Sequence, residues 1–318
     1  MRDEFVGRLT QLAERDSRIM LVTGDLGFGI LTEFSRRFPK QFINAGVAEQ
    51  NMTSLATGLA LEGYIVFTYS IANFAFMRCL EQIRNDAAYH GANVNVVAVG
   101  GGFSYGQLGI SHHATEDLAI MRSIPEITVV CPGDAWEAAE AAEAVANSPG
   151  TSYIRLDRSS AQLVDRPGER FQLGKARTIR NGADATLLAA GGMLSVARDA
   201  AANLAQEGIQ CQVTSIHTLA PLDEATVLDA AQRTDGIVTL EEHTVAGGLG
   251  SAVAELLLER RCIPGFFHRI GVRGNFTSVV GSQEYLRRLH GLDVESVAVA
   301  VANLVECRSG DGRLRLAA

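Results

Sequence analysis

The stretch INAGVAEQNM, residues 43–52, joins an apolar segment to a long run of small and apolar residues, MTSLATGLALEG, at 52–63. The segment at 41–45 has the character of a short strand, and the run after it predicts a buried helix. Glu49 lies at this junction, where a buried carboxylate must be paired, protonated or used in chemistry, because an unpaired buried charge is strongly destabilising. The alternative is a solvated glutamate that the helix dipole favours in the first helical turn.

Short apolar strands alternate with longer helical patterns through the first half of the chain, as in parallel sheets covered by crossover helices. Helices are predicted at 74–89 and 135–146. The predicted strands are IMLVTG (19–24), QFINA (41–45), YIVFT (64–68), NVNVVAVG (93–100), ITVVC (127–131) and SYIRL (152–156). This pattern predicts an α/β fold, a mostly parallel sheet with helices on both faces.

A second α/β series follows a polar, charged run at about 159–183, which lacks periodicity and predicts a linker that packs a hairpin. Its predicted strands are ATLLAAG (185–191), CQVTSIH (211–217) and GIVTLEE (236–242), and its predicted helices lie at 194–207, at 223–232, after AGGLG (246–250), at 283–290 and at 294–304. The predicted organisation is a first domain at 1–165, a linker at 166–183, a second domain at 184–306 and a disordered tail at 307–318.

The composition is that of a soluble globular protein, with 47% hydrophobic and 20% charged residues. A net charge of -8 argues against nucleic acid as a partner, because no basic surface is available to neutralise phosphates. No stretch approaches the roughly 18 uncharged apolar residues of a membrane span. Five scattered cysteines without a CxxC pair suit a reducing compartment. We therefore expect a cytoplasmic protein that binds neither nucleic acid nor membrane.

The segment GGGFSYGQLGISHHATED, residues 100–117, is the densest candidate for a ligand site. Its glycines permit close approach to a ligand at the carboxyl ends of parallel strands. His112 or His113 could move protons near neutral pH, or one of the two could only cap the helix that follows. Consecutive side chains point apart, so at most one is expected to face a shared site. No cysteine or carboxylate lies at zinc-ligand spacing, and no metal site is predicted on this chain.

Taken together, these stretches resemble the transketolase family of thiamine-diphosphate enzymes, specifically its pyrimidine-binding and C-terminal domains. The resemblance covers nearly the whole chain, and the order and spacing of its motifs make it specific. The motifs are TGDLG (23–27), NAGVAEQNM (44–52), LEQIRN (80–85), GISHHATED (109–117), MRSIPEITVVCPGD (121–134), YIRLDR (153–158) and EEHTVAGGLGSAVAE (241–255).

The resemblance implies roles for individual residues. Glu49 corresponds to the glutamate that hydrogen-bonds a ring nitrogen of the cofactor's aminopyrimidine. Asp25 corresponds to an acidic residue near the thiazolium side, and Phe74 to an aromatic that stacks on the pyrimidine. A second family aromatic, three residues earlier, is Ile71 here, which predicts weaker stacking on that side. His112 corresponds to a histidine that faces the oxygens of the donor sugar and assists proton transfer.

The family's other domain holds magnesium and diphosphate with a GDG motif and a later asparagine. The GDG of this sequence, at 310–312, lies six residues from the end, and neither a strand before it nor a helix after it is predicted. The resemblance therefore implies the small, β-type subunit of a split transketolase. A separate N-terminal subunit is expected to supply the Mg²⁺ and diphosphate ligands, in an α2β2 complex with a β–β contact.

The implied reaction is transfer of a two-carbon ketol unit from a ketose donor to an aldehyde acceptor, a transferase activity of carbohydrate metabolism. Two rival functions are a β subunit of a 2-oxo-acid dehydrogenase or related acyl-transferring enzyme, and a non-catalytic regulatory subunit that keeps the fold. The segment at 109–125 is more similar to transketolase and 1-deoxyxylulose-5-phosphate synthase than to a dehydrogenase. Intact Glu49, Asp25, Phe74 and His112 argue against a non-catalytic role.

The substrate positions depart from the family pattern. Two arginines that hold the distal phosphate correspond to Arg2 and Arg158, whereas a serine, a histidine and an aspartate are replaced by Gly29, Gly100 and Leu108. A phosphate needs several charge-assisted contacts to offset its desolvation, and two glycines are expected to widen the channel. This pattern predicts at least one substrate that is bulkier or less charged than a sugar phosphate, unless the partner subunit supplies replacement ligands.

Overall fold

The computed structural model describes residues 1–157, 168–274 and 276–308. Its framework is two sheets, one of seven strands and one of five. This architecture confirms the predicted α/β fold with two mostly parallel sheets. Arg158 and the predicted tail from residue 309 onward lie outside the described residues.

The regular elements are numbered in chain order. The strands are β1 (Ile19–Thr23), β2 (Phe42–Asn44), β3 (Ile65–Ile71), β4 (Val94–Val99), β5 (Thr128–Val130), β6 (Ser152–Leu156), β7 (Arg177–Arg180), β8 (Ala185–Ala189), β9 (Cys211–Ser215), β10 (Thr218–Ala220), β11 (Gly236–Thr244) and β12 (Phe266–Val272). The α-helices are α1 (Arg2–Arg15), α2 (Thr32–Arg37), α3 (Glu49–Leu61), α4 (Ala72–Ala75), α5 (Asp117–Arg122), α6 (Ala135–Ala146), α7 (Met193–Gln206), α8 (Glu224–Arg233), α9 (Leu249–Glu259), α10 (Gln283–Leu289) and α11 (Val294–Arg308). A π-helix spans Gln82–Ala88 and a 3₁₀ turn spans Gly106–Leu108.

The first sheet has the strand order β10-β5-β6-β4-β3-β1-β2. Its strands pair in parallel except β10, which runs antiparallel to β5. All six strands predicted in the first half are present. Their carboxyl ends meet at one edge, the place where ligands bind in open α/β sheets. Because β10 comes from the second half of the chain, the first sheet also ties the two halves together.

The second sheet has the order β12-β11-β8-β9-β7, and only β7 is antiparallel to its neighbour. β7 falls inside the segment predicted as a linker, so the second sheet begins earlier than the sequence pattern indicated. β7 was not predicted because its four residues, Arg177–Arg180, have charged ends and carry no apolar run. β12 was also not predicted, since its residues are only partly buried over the first four positions.

The helix predicted at 74–89 is the main correction within the first half. A short α4 ends at Ala75, a turn follows at 76–79, and a π-helix begins at Gln82. π-helices are rare and occur frequently at functional sites. Among the described residues, no helix is long and apolar enough to span a lipid bilayer.

Buried charges join the two halves. Arg155 on β6 is 2% exposed, and its Nη1 lies 3.1 Å from Oδ1 of Asp117 at the start of α5. Its Nη2 donates to the backbone oxygen of Glu242 on β11 at 2.8 Å. The Glu242 carboxylate in turn accepts hydrogen bonds from the backbone of Phe103 and from Nε of Arg287, both at 2.6 Å. Breaking one member of such a network leaves an uncompensated buried charge, so the two halves hold a defined relative position.

Candidate active site

Four predicted site residues follow four neighbouring strands of the first sheet. Asp25 follows β1, Glu49 follows β2, Phe74 follows β3 and His112 follows β4. These strands are adjacent and parallel, so their carboxyl ends share one edge of the sheet. The topology therefore brings residues that are far apart in sequence to one place.

Glu49 is the first residue of α3 and is 2% exposed. Its Oε2 accepts a hydrogen bond from Nη1 of Arg78 at 2.7 Å, and this contact is also an ion pair. The carboxylate is therefore buried and paired, and the alternative of a solvated glutamate in the first turn is wrong. Arg78 was not singled out by the sequence analysis.

Arg78, Phe74 and His112 form a continuous layer beside this carboxylate. The guanidinium carbon of Arg78 lies 4.6 Å from the centre of the Phe74 ring, in a cation–π arrangement. The other neighbour of Phe74 is the imidazole of His112, at 5.2 Å between ring centroids and edge to face. Glu49, Arg78, Phe74 and His112 thus form one chain of contacts along the sheet edge.

The loop that carries His112 is fixed by Asn73, the residue before Phe74. Asn73 is 9% exposed, and its Nδ2 donates to the backbone oxygens of Ser111 at 3.0 Å and His113 at 3.1 Å. Nδ1 of His112 lies 3.0 Å from the hydroxyl oxygen of Ser111. Burial, followed by the neighbouring His113, lowers the pKa of His112 from its ordinary value. The imidazole is therefore neutral near pH 7 and able to accept a proton.

His113 points the other way, into the protein. It is 2% exposed, its Nε2 lies 3.1 Å from the backbone oxygen of Gly106, and its ring packs edge to face against Phe103 at 5.2 Å. The expectation that the two consecutive histidines point apart is confirmed. His112 lies in the candidate site, whereas His113 packs inside the protein and supports the loop through Gly106 and Phe103.

Asp25 has a left-handed backbone, with φ of 57°. Its N–H donates to Oδ1 of Asn44 at 3.0 Å, and its own Oδ1 accepts from Nδ2 of Asn44 at 2.9 Å. The preceding Gly24 packs beside Glu49, because a Cβ at Gly24 would lie 3.4 Å from Cγ of Glu49. Asn44, which was not predicted, therefore fixes the strained loop in which Gly24 lies beside Glu49 and Asp25 follows it.

The predicted substrate positions give a mixed outcome. The widening expected at Gly100 is wrong, because a Cβ there would lie 2.1 Å from Cε2 of Tyr105, whose ring already fills that space. The Tyr105 ring centroid is 6.0 Å from that of His112. At Gly29, by contrast, a Cβ would meet nothing within 4 Å. Leu108 is 57% exposed.

Ile71 and Arg2 are the remaining predicted site residues within the described ranges. Ile71 ends β3, is half-buried and immediately precedes α4. Arg2 begins α1 and pairs with Asp3, with Nε and Oδ1 3.1 Å apart. Burial raises the pKa of Tyr69, Arg2 opposes this rise and Tyr105 adds to it. Arg2 and Tyr105 therefore both act electrostatically on the buried Tyr69 hydroxyl.

The residues present suit an aminopyrimidine. A buried carboxylate can accept a hydrogen bond from a protonated ring nitrogen, and the half-buried Phe74 offers an aromatic face that shares Arg78 as a neighbour with Glu49. A carboxylate and an aromatic side chain thus lie at the carboxyl edge of a parallel sheet, the edge where ligands bind in open α/β folds.

Comparisons with known proteins agree with this geometry. Residues 1–163 match the family described as transketolase, pyrimidine binding domain, and residues 174–297 match transketolase, C-terminal domain. The 6-deoxy-6-sulfo-D-fructose transketolase subunit SqwH of Clostridium sp. (strain MSTE9) is 39% identical, covering 96% of this chain and 94% of that protein. An apulose-4-phosphate transketolase subunit of Phocaeicola vulgatus is 34% identical, covering 96% of this chain and 97% of that protein.

Among solved structures, a split gene transketolase described as an inactive β4 tetramer has a TM-score of 0.86 and 35% sequence identity. That match covers 96% of this chain and 98% of the other. The transketolase family uses thiamine diphosphate. This chain belongs to the transketolase family, as the subunit of a split transketolase that carries the pyrimidine-binding and C-terminal domains and takes part in ketol transfer together with a partner subunit.

Proposed function

We propose that this chain supplies the pyrimidine-binding half of a thiamine-diphosphate site, which is completed by a separate N-terminal, diphosphate-binding subunit. The observation that carries the proposal is the group formed by Glu49, Phe74 and His112 at one sheet edge. The assembly is an α2β2 complex in which two copies of this chain contact each other. The tetrameric state of the solved relative supports self-association of this subunit type.

In this complex, Glu49 accepts a hydrogen bond from the aminopyrimidine ring, Phe74 stacks on it, and Ile71 covers the opposite side with less area than an aromatic would. Asp25 lies toward the thiazolium side. When bound, the cofactor stabilises the two-carbon unit between its release from the donor ketose and its delivery to the acceptor aldehyde. The residues of this chain hold the cofactor's ring in a dry, preorganised setting, where hydrogen bonds are strong.

His112 moves protons at the substrate oxygens. Its lowered pKa keeps the imidazole neutral and ready to accept a hydroxyl proton when the donor's carbon–carbon bond breaks. Asn73 holds the loop, so the imidazole does not have to be ordered during the reaction. The Tyr105 ring borders the same space.

Mg²⁺ and the diphosphate are held by the partner subunit in this proposal. The GDG at 310–312 lies outside the described residues, and its sequence context differs from that of the family site. We also place the complex in the cytoplasm. All five cysteines of this chain, each within the described ranges, are free thiols, as in a reducing compartment.

The donor substrate is proposed to be a ketose whose far end is less charged than a phosphate ester. Phosphate esters carry close to two negative charges near pH 7, whereas Gly29 and Leu108 offer no positive or donor side chain. Because the Tyr105 ring fills the space at Gly100, that position does not favour a bulkier substrate. The proposed preference therefore rests on the lower charge of the substrate. The relative named for 6-deoxy-6-sulfo-D-fructose supports a singly charged sulfonate, and the relative named for apulose-4-phosphate supports the competing phosphate.

Replacing the buried carboxylate should abolish most activity without unfolding the protein. Glu49→Gln in the assembled complex is expected to lower kcat/KM for ketol transfer on the order of 10²-fold or more, the scale for a positioned acid–base group. The amide can still hydrogen-bond, but it cannot favour a protonated ring. Circular dichroism and the thermal midpoint should stay near wild-type values, and Glu62→Gln, an exposed change at the end of the same helix, should have no effect. Full activity of Glu49→Gln would instead support the non-catalytic function.

Variants of the two histidines should change different measured quantities, kcat for His112 and stability for His113. His112→Ala should lower kcat in the assembled complex while leaving cofactor affinity and the thermal midpoint unchanged, because its ring is only half-buried. The wild-type pH–rate profile should lose activity as pH falls through a pKa below 6.5, where His112 becomes protonated, and the variant should lack this limb.

His113→Ala should instead destabilise the fold by about 1–3 kcal/mol, because it empties a buried position and removes a hydrogen bond to Gly106. The folded fraction should retain most of its turnover. If His113 proved to control kcat and His112 the stability, the assignment of the loop would be wrong by one residue.

Donor preference can be measured by steady-state assays of the reconstituted complex. With ribose 5-phosphate as acceptor, we expect 6-deoxy-6-sulfofructose or unphosphorylated xylulose to give a higher kcat/KM than xylulose 5-phosphate. A value for xylulose 5-phosphate within the ordinary range of about 10⁴ M⁻¹s⁻¹ or above, and higher than for the other two donors, would contradict the proposed substrate class while leaving the ketol-transfer reaction intact.

A further inference from the structure

Within the described residues, Arg78 makes a hydrogen-bonded ion pair and a ring contact, and both are with residues proposed to bind the cofactor. Its Nη1 donates to Oε2 of Glu49 at 2.7 Å, and its guanidinium carbon lies 4.6 Å from the centre of the Phe74 ring. A guanidinium is a flat, nitrogen-rich group that hydrogen-bonds carboxylates and stacks on aromatic faces. Arg78 therefore presents to Glu49 and Phe74 the same two features as an aminopyrimidine protonated on its ring nitrogen, an N–H donor in the plane and a flat face.

These contacts exclude a second occupant. Glu49 is 2% exposed, and its other oxygen faces Gly24, where a Cβ would lie 3.6 Å from Oε1. The carboxylate is thus enclosed on that side, and Arg78 occupies the approach to Oε2. A ring that hydrogen-bonds Oε2 while stacking on the same face of Phe74 has to take the position of the guanidinium.

The Arg78 side chain is also positioned so that it can move away from Glu49 and Phe74. Its side chain is 46% exposed, so the guanidinium can swing outward into solvent and gain hydration as it leaves Glu49. It lies in the turn at 76–79, between the short α4 and the π-helix, and not within a continuous α-helix. Glu49, by contrast, is held in the first turn of α3 and cannot follow it.

We propose that Arg78 is a displaceable stand-in for the cofactor's aminopyrimidine ring. In the subunit without cofactor it neutralises the buried Glu49 and covers Phe74, and loading of the site requires the arginine to leave both. The proposal rests on the proposed function, because it assigns the cofactor to this same carboxylate and ring. It implies that the arginine stabilises the free subunit and weakens cofactor binding, two effects of opposite sign from one side chain.

The test uses the complete complex with its diphosphate-binding subunit and the full chain alone. Isothermal titration calorimetry with thiamine diphosphate in excess Mg²⁺ measures the dissociation constant of the complex. Arg78→Ala should lower this dissociation constant on the order of tenfold, as expected for the loss of one competing charged contact. Arg84→Ala removes the same charge from the exposed face of the neighbouring π-helix without touching Glu49. Arg84→Ala should leave the dissociation constant unchanged or raise it, since the ligand is an anion and the variant removes a positive charge.

Thermal unfolding of the chain alone provides the second readout. Arg78→Ala should lower the midpoint, because it leaves a buried carboxylate without a partner, and Arg84→Ala should not. Adding Glu49→Gln to Arg78→Ala should recover most of the lost stability, since the neutral amide no longer needs a cation. This recovery identifies the Glu49–Arg78 pair as the source of the effect.

The outcomes separate the inference from the function that it rests on. Weaker binding of thiamine diphosphate by Arg78→Ala than by wild type and Arg84→Ala would overturn the stand-in and make Arg78 a permanent part of the binding site. An unchanged dissociation constant would overturn it as well, with the proposed function intact. If the wild-type complex bound no thiamine diphosphate at all, both the proposed function and the stand-in would be wrong.

Discussion

The burial of one carboxylate, Glu49, constrains the whole arrangement of the site. A charge that is 2% exposed must have a partner of opposite charge or a donor, because its desolvation is not otherwise offset. In this structure the partner is Arg78, and Arg78 in turn lies on Phe74, which contacts His112. This buried carboxylate thus organises the residues around it, and in the proposed function the cofactor replaces Arg78 as its partner.

The fold itself positions the site residues at the carboxyl edge of the first sheet. Four adjacent parallel strands deliver four side chains to one edge, and a network around Arg155, Asp117 and Glu242 fixes the second half of the chain against the first. In the proposed function, this frame provides the contacts to a pyrimidine ring, and another polypeptide provides those to diphosphate and Mg²⁺. Rigidity on this side favours precise assembly with the missing side.

Much of the fold followed from the sequence, since strands such as β1 and β4 consist mostly of apolar residues and α6 is a strong helical pattern. The junction at Glu49 was also recognisable from the local sequence, because it places a charge between two apolar segments. Contacts between residues distant in sequence left no local pattern, so Arg78, Asn44 and Tyr105 were missed. Tyr105 also shows that a glycine in the sequence does not establish open space, because the ring that fills the space at Gly100 comes from another position.

The central claim is that this chain holds half of a catalytic site, and reconstitution tests it most directly. Ketol transfer would be measured with this chain alone, with the diphosphate-binding subunit alone, and with the two mixed in equal amounts, each with thiamine diphosphate, Mg²⁺ and the same donor and acceptor. The account predicts no measurable transfer by either chain alone and turnover by the mixture, with the activity saturating at one copy of each. Ketol transfer by this chain alone at the rate of the mixture would contradict it.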